Sequence, residues 1–181
     1  MKLILLRHEE RGYDIGFYSE LTENGIINSH LLSSSLDNLN IDIIFTSPFI
    51  RVLQTIYPYC KEHNKKVNIE YGLYEYIHNI YFLINPWYFT LNDIEDKDLK
   101  SICVKKYISI VDKNDFTILE DEINLERRII KFFDYLNTNY NNKTVLLVSH
   151  KAIINKIKDL YIKKTSLDDS YDMGNIEVWN M

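Results

Sequence analysis

The chain has 181 residues, 46% of them hydrophobic and 26% charged, and 21 Lys and Arg stand against 26 Asp and Glu for a net charge of −5. That length suits one domain with a sizeable core, and that apolar share excludes wholesale disorder. The acidic balance argues against broad nucleic-acid binding, which needs basic faces, yet it leaves room for a small cationic pocket.

Residues 2–6 form an apolar run that predicts a fully buried strand, and the run exits into Arg7 and His8. Residues 7–20 have no clean period and read as a loop. Thr22 suits an N-cap, with Leu21 placed to staple the entry, so a helix is predicted to about residue 38. Residues 41–45 make a second strand. Ser47-Pro48 pairs a cap residue with a proline at the first helical position and predicts a helix to about residue 64. Residues 67–70 form a third strand, followed by a turn at Gly72. Ile129, Ile130, Phe133 and Leu136 show helical spacing and predict a helix over 125–136. A polar turn, a strand over 145–148, a helix over 152–161 and a last strand over 176–179 complete the chain.

Strands alternating with helices predict an α/β fold, a three-layer α/β/α sandwich around a mostly parallel central sheet. Residues 80–121 fit the alternation poorly. They read as a small helical insertion or cap within one domain over 1–181. The cluster Pro86-Trp87-Tyr88-Phe89 reads as a capping mini-core, and residues 93–98 as a solvated acidic face.

Cys60 and Cys103 have no metal or redox spacing, so they read as reduced thiols, and no metal is expected. Four apolar residues follow Lys2, short of the roughly seven of a signal-peptide core. No run approaches the roughly 18 apolar residues of a membrane span. The expectation is a cytoplasmic protein that neither enters a membrane nor binds nucleic acid.

In open α/β sheets, ligands sit outside the carboxyl ends of the strands. Arg7, His8, Thr46, Ser47 and His150 all fall at such ends. Arg51 falls in the first turn of a helix, where side chains lean back toward the N-terminus and so toward the same crevice. Helix N-termini add free N–H groups and partial positive charge, and arginine forks bind phosphate oxygens bidentately. One histidine could then attack phosphorus as a neutral imidazole, and the other could stabilise the equatorial oxygens. The leaving alcohol needs a proton, for which Glu75 is the best-placed carboxyl and Glu70 the runner-up. His30, His63 and His78 read as surface residues, though His78 follows Glu75 at a spacing that could reach the pocket.

The ordered motifs resemble the histidine phosphatase superfamily, also called phosphoglycerate mutase-like. Arg7-His8-Glu9 resembles its Arg-His-Gly, and Leu21-Thr22-Glu23-Asn24-Gly25 its Leu-Thr-x-x-Gly. Residues 46–55 resemble its Ser-Ser-Pro-x-x-Arg-x-x-Gln-Thr nearly throughout. Leu73-Tyr74-Glu75, Val148-Ser149-His150 and the late Asn175 follow in order. The resemblance covers most of the chain except residues 80–121. It implies His8 as nucleophile, Arg7, Arg51 and His150 as phosphate ligands, Glu75 as proton donor, and no metal or organic cofactor. One branch reads Arg-His-Gly-Glu-Arg, which implies Arg11 as a further phosphate ligand. Glu9 departs from the glycine of the motif, Asp14 from a common asparagine, and Lys151 from the small residues usual after the second histidine.

The function expected is a phosphomonoester hydrolase working through phospho-His8 on a small phosphorylated substrate or phosphopeptide, with a bell-shaped pH profile. A phosphoglycerate mutase is the alternative; the six residues after Asn175 leave no long tail to close over the site. A non-catalytic phosphate-binding module is the second alternative, supported only by Glu9 and Asp14. Oligomeric state is not legible.

Overall fold

A computed structural model describes residues 1–76, 78, 90–116, 119–162 and 173–181. Its five strands are β1 (Lys2–Arg7), β2 (Ile43–Thr46), β3 (Val67–Ile69), β4 (Thr144–Ser149) and β5 (Ile176–Asn180). They form one sheet in the order β3-β2-β4-β1-β5. The first four run parallel and β5 runs antiparallel against β1. Leu3 to Leu6 in β1 and Val145 to Val148 in β4 are fully buried. Their continuous apolar runs suit central strands covered on both faces. β5 is the half-exposed edge.

The helices are α1 (Glu23–Leu36), α2 (Ile50–Glu62), α3 (Lys97–Ser101), α4 (Glu122–Asn139) and α5 (Lys151–Tyr161). Thr22 caps α1 as its residue type predicts, accepting from Gly25 N at 3.1 Å. α2 begins later than predicted, with Phe49 rather than Ser47 at the N-cap. The reason is that Ser47 still belongs to the sheet exit. Its N–H bonds Val148 O at 3.1 Å, and its hydroxyl lies 2.9 Å from His150 rather than over the helix end. α4 starts three residues earlier than its apolar spacing indicates, because Asp121 caps it through Asn124 N at 2.8 Å.

Within the stretch read as an insertion, residues 90–116 join the main core. Ile94, Leu99, Ile102, Val111 and Phe116 are buried in it. Val67 bridges the segment twice, from its N–H to Ile102 O and from its carbonyl to Val104 N–H, both at 2.9 Å. The cluster Pro86-Trp87-Tyr88-Phe89 lies outside the described residues. Most of residues 93–98 are exposed, and Asp96 caps α3.

Glu70 explains how this segment is held, and it removes Glu70 from the candidate proton donors. The carboxylate is fully buried and accepts from the Tyr107 hydroxyl at 2.6 Å, Ser109 Oγ at 2.8 Å and the Gly72, Ile110 and Val111 N–H groups. A carboxylate holding five donors is a structural clasp, not a group free to meet a substrate. Among the described residues, no helix is long and apolar enough to cross a membrane.

Candidate active site

β1 and β4 run in register from Lys2 opposite Thr144 to Arg7 opposite Ser149, so their exits are level. His8 therefore emerges beside His150, with ring centroids 5.3 Å apart. Backbone bonds from His8 N to Ser149 O at 3.0 Å and from Arg7 N to Asn175 O at 3.4 Å fix the exit. The His8 Nδ1–H donates to its neighbour's carbonyl, Glu9 O, at 2.7 Å. That bond assigns the tautomer and leaves the Nε2 lone pair unprotonated. Burial, with the positive fields of His150 and Arg51, pulls the His8 pKa down to about 2. His8 is a neutral imidazole, the form a nucleophile requires.

Arg51 reaches back from the first turn of α2, as helical side-chain direction predicts. Its Nε lies 3.4 Å from His8 Nε2, and Nη1 donates to Gly16 O at 2.9 Å. Nη2 lies 3.4 Å from Glu75 Oε2 and 3.3 Å from His150 Nδ1. The guanidinium packs 4.5 Å from the Phe49 ring centre. Burial lowers its pKa to about 10, partly offset by Glu75, so it stays charged at neutral pH.

His150 is fully buried. Its Nδ1 faces Glu75 Oε2 at 3.1 Å, and its Nε2 faces the Ser47 hydroxyl at 2.9 Å. The consistent assignment has Nδ1–H donating to the carboxylate and Nε2 accepting from Ser47. Burial lowers the His150 pKa to about 4, more than Glu75 raises it. Burial alone would raise the Glu75 pKa. His150, Arg51 and the Tyr76 N–H at 3.0 Å outweigh it and hold the carboxyl well below its usual range. Glu75 is thus a carboxylate at neutral pH.

These groups surround a cavity of about 470 Å³. Arg7, His8, Arg11, Arg51 and Glu75 line it, so five of the six sequence-selected residues meet on one wall. The sixth, His150, sits one layer behind, in contact with Arg51 and Glu75. Arg11 is held at the rim by Gly12 O at 2.7 Å and Asp14 O at 3.1 Å.

Two of the three departures from the family motifs point elsewhere. Glu9 is buried away from the cavity, with Asn28 as a hydrogen-bond partner, and packs against Gly174. Asp14 turns back to accept from Gly16 N at 2.9 Å. Lys151 does face the cavity, with Ala152 and Asn155 of α5. Tyr76 and His78, ring centroids 4.7 Å apart, line it as well, so His78 is both exposed and part of the site.

Sequence reasoning read Ser47 as a strand-exit helix cap and assigned no part in the site to Lys151, Asn155, Tyr76 or Arg128. The four-residue step from Lys151 to Asn155, which puts both on one helix face, was the readable signal for that pair. Arg128 gave none. Its buried guanidinium pairs with Glu120 at 2.6 and 2.9 Å. Its remaining N–H groups donate to Gly72 O at 2.8 Å and Glu75 O at 3.3 Å. This pins the backbone that carries the Glu75 side chain.

Residues 3–81 match the family model described as histidine phosphatase superfamily (branch 1). Over those residues the chain is similar to that superfamily. No curated protein sequence matches the chain significantly. Solved structures with the same fold include an ecdysone phosphate phosphatase from Bombix mori, at 14% identity and TM-score 0.66, covering 98% of this chain and 88% of that one. An alpha-ribazole phosphatase from Shigella flexneri is similar at 20% identity and TM-score 0.65, covering 98% and 89%. A mycobacterial glucosyl-3-phosphoglycerate phosphatase is similar at 15% identity and TM-score 0.65, covering 98% and 88%. The expected phosphoglycerate mutase-like α/β fold is thereby borne out. Among the described residues, no cluster of three His, Cys, Asp or Glu side chains is arranged to hold a metal ion.

Proposed function

We propose that the chain is a phosphomonoester hydrolase that works through a covalent phosphohistidine at His8. The observation that carries this reading is the His8 tautomer, with Nδ1–H held by Glu9 O at 2.7 Å and Nε2 beside the Arg51 guanidinium at 3.4 Å. A neutral nucleophile next to a fixed cation is the arrangement that attack on a phosphate dianion needs. The superfamily match over residues 3–81 and the phosphatase names of the neighbours in fold support the same class.

The Nε2 lone pair attacks phosphorus, and the bond from phosphorus to the ester oxygen breaks. Arg7, Arg11 and Arg51 hold the phosphoryl oxygens, and His150 adds charge once the dianion raises its pKa. The same dianion raises the Glu75 pKa, so the carboxyl can take up a proton on substrate binding and pass it to the leaving oxygen. Water then attacks the phosphohistidine, losing its proton to Glu75, and inorganic phosphate departs with His8 regenerated.

The test is hydrolysis of p-nitrophenyl phosphate, joined to mass spectrometry of enzyme quenched in alkali. The expected outcome is turnover that His8→Ala abolishes, and one phosphoryl group on the peptide bearing His8. Wild type inert between pH 5 and 8, or turnover that survives His8→Ala, overturns the reading.

A further inference from the structure

The cavity holds more positive charge than a phosphate monoester uses. Among the described residues, Arg7, Arg11, Arg51 and Lys151 line it against one carboxylate, Glu75. Three positive charges remain, and a phosphate dianion offsets two. Unbalanced charge in a partly enclosed site with low-dielectric walls attracts a further anion strongly. The chain as a whole carries a net charge of −5, so this surplus is local and runs against the general surface.

Lys151 is the cation left over. Its ammonium has no carboxylate partner among the described residues, unlike Lys156 and Lys158 on the same helix, which pair with Glu126 and Glu177 at 3.1 and 2.8 Å. It directly follows His150 at the start of α5, and Asn155 lies one turn further along the same face, also on the cavity wall. The deep arginines and His8 occupy the phosphate end. A cavity of about 470 Å³ is in the range that encloses a small organic ligand together with its phosphate.

We propose that the substrate carries a second anionic group on the alcohol it releases, a carboxylate or a second phosphate, and that Lys151 grips this group with Asn155 beside it. The inference rests on the phosphomonoesterase reading above and narrows its substrate class. An ammonium point charge on a flexible stem accepts either anion, whereas Asn155 adds a donor that favours an oxygen at a fixed distance. Because this contact lies away from phosphorus, it acts mainly on binding, and its loss raises KM more than it lowers kcat.

The test compares kcat/KM for glycerol 3-phosphate, 3-phosphoglycerate and 1,3-propanediol bisphosphate in wild type, Lys151→Gln and Lys151→Glu. Wild type is expected to favour one or both doubly anionic esters over glycerol 3-phosphate by at least tenfold. The two esters separate a carboxylate from a phosphate as the second group. Lys151→Gln is expected to cut that preference at least fivefold, chiefly through KM, and Lys151→Glu to reverse it. Equal kcat/KM for all three esters in wild type, or a preference that Lys151→Gln leaves intact, overturns the proposal while the phosphatase reading stands. Absence of any His8-dependent turnover overturns both.

Discussion

The Ser47 hydroxyl and His150 Nε2 lie 2.9 Å apart, although the two residues are 103 positions apart in the chain. Their meeting follows from the register of β2 against β4, which sets Thr46 opposite Val148. The contact orients the His150 ring so that Nδ1 faces Glu75 and the arginine cage. Ser47→Ala is therefore expected to lower kcat about tenfold, the worth of one hydrogen bond of about 1 kcal/mol plus the lost ring orientation. His150→Ala should cost about 100-fold or more. Steady-state kinetics with p-nitrophenyl phosphate check both, and an undiminished Ser47→Ala enzyme removes the serine from the machinery.

The proton-donor role proposed for Glu75 is tested by how much the leaving group needs a proton. Glu75→Gln is expected to slow hydrolysis of an alkyl phosphate by about 100-fold, and p-nitrophenyl phosphate by far less, since nitrophenolate departs unaided. Equal losses on both esters would assign Glu75 to binding rather than acid catalysis.

The bell-shaped pH profile expected from the sequence loses its acid limb within the usual range. With the His8 pKa near 2, acidification to pH 5 does not protonate the imidazole. Glu75, held below its usual range, favours the protonated form only when substrate is bound and pH is low. The expected profile of kcat/KM therefore declines from pH 5 toward pH 8. A rise over that interval would show a nucleophile titrating nearer neutrality.

Stability should follow the opposite trend. His8 and His150 titrate near 6.5 when unfolded, and near 2 and 4 in the fold. Above pH 6.5 neither state takes up the extra proton and stability is intact. Below 6.5 the unfolded chain binds protons that the folded chain refuses, and stability drains away as the pH falls toward 4 and then 2. At pH 5.5 the two histidines together cost on the order of 2 kcal/mol relative to pH 7. Urea unfolding at the two pH values measures this, and His150→Gln should remove about half of the difference.

Arg128 and Glu120 are both buried and doubly bonded to each other. Glu120→Gln should cost about 3–5 kcal/mol by leaving a buried guanidinium short of its partner. Because Arg128 also holds Glu75 O, the loss should extend to kcat on alkyl phosphates. Thermal denaturation and kinetics on one variant separate the two effects. Lost stability with unchanged kcat would confine the pair to the core.

Much of the site was legible because each part sits at a strand exit, where a parallel sheet gathers residues distant in sequence. Arg7, His8, Arg51 and Glu75 announced themselves by that position and by motif spacing. The start of α2 was not legible, because Ser47 has the right chemistry for a cap but is held at the sheet exit beside His150. Glu70 and Glu75 looked alike in sequence. Only tertiary donors from residues 107–111 distinguish the clasp from the carboxylate that lines the cavity. Arg128 lies on a helix face where an arginine normally meets water, and nothing local marks it as buried.

Gly174 has φ near +72°, and a Cβ there would collide with the Glu9 carboxylate. Positions 9 and 174 therefore constrain each other across the β1–β5 edge. A glycine at 9, as in the family motif, frees 174 to carry a side chain at only the cost of its backbone conformation. The glutamate here needs the glycine opposite, because any larger residue would drive the carboxylate from its berth. Single changes at 174 should be tolerated less poorly in the Glu9→Gly variant than in this chain, where the collision adds to the backbone cost, so the two sites form a pair.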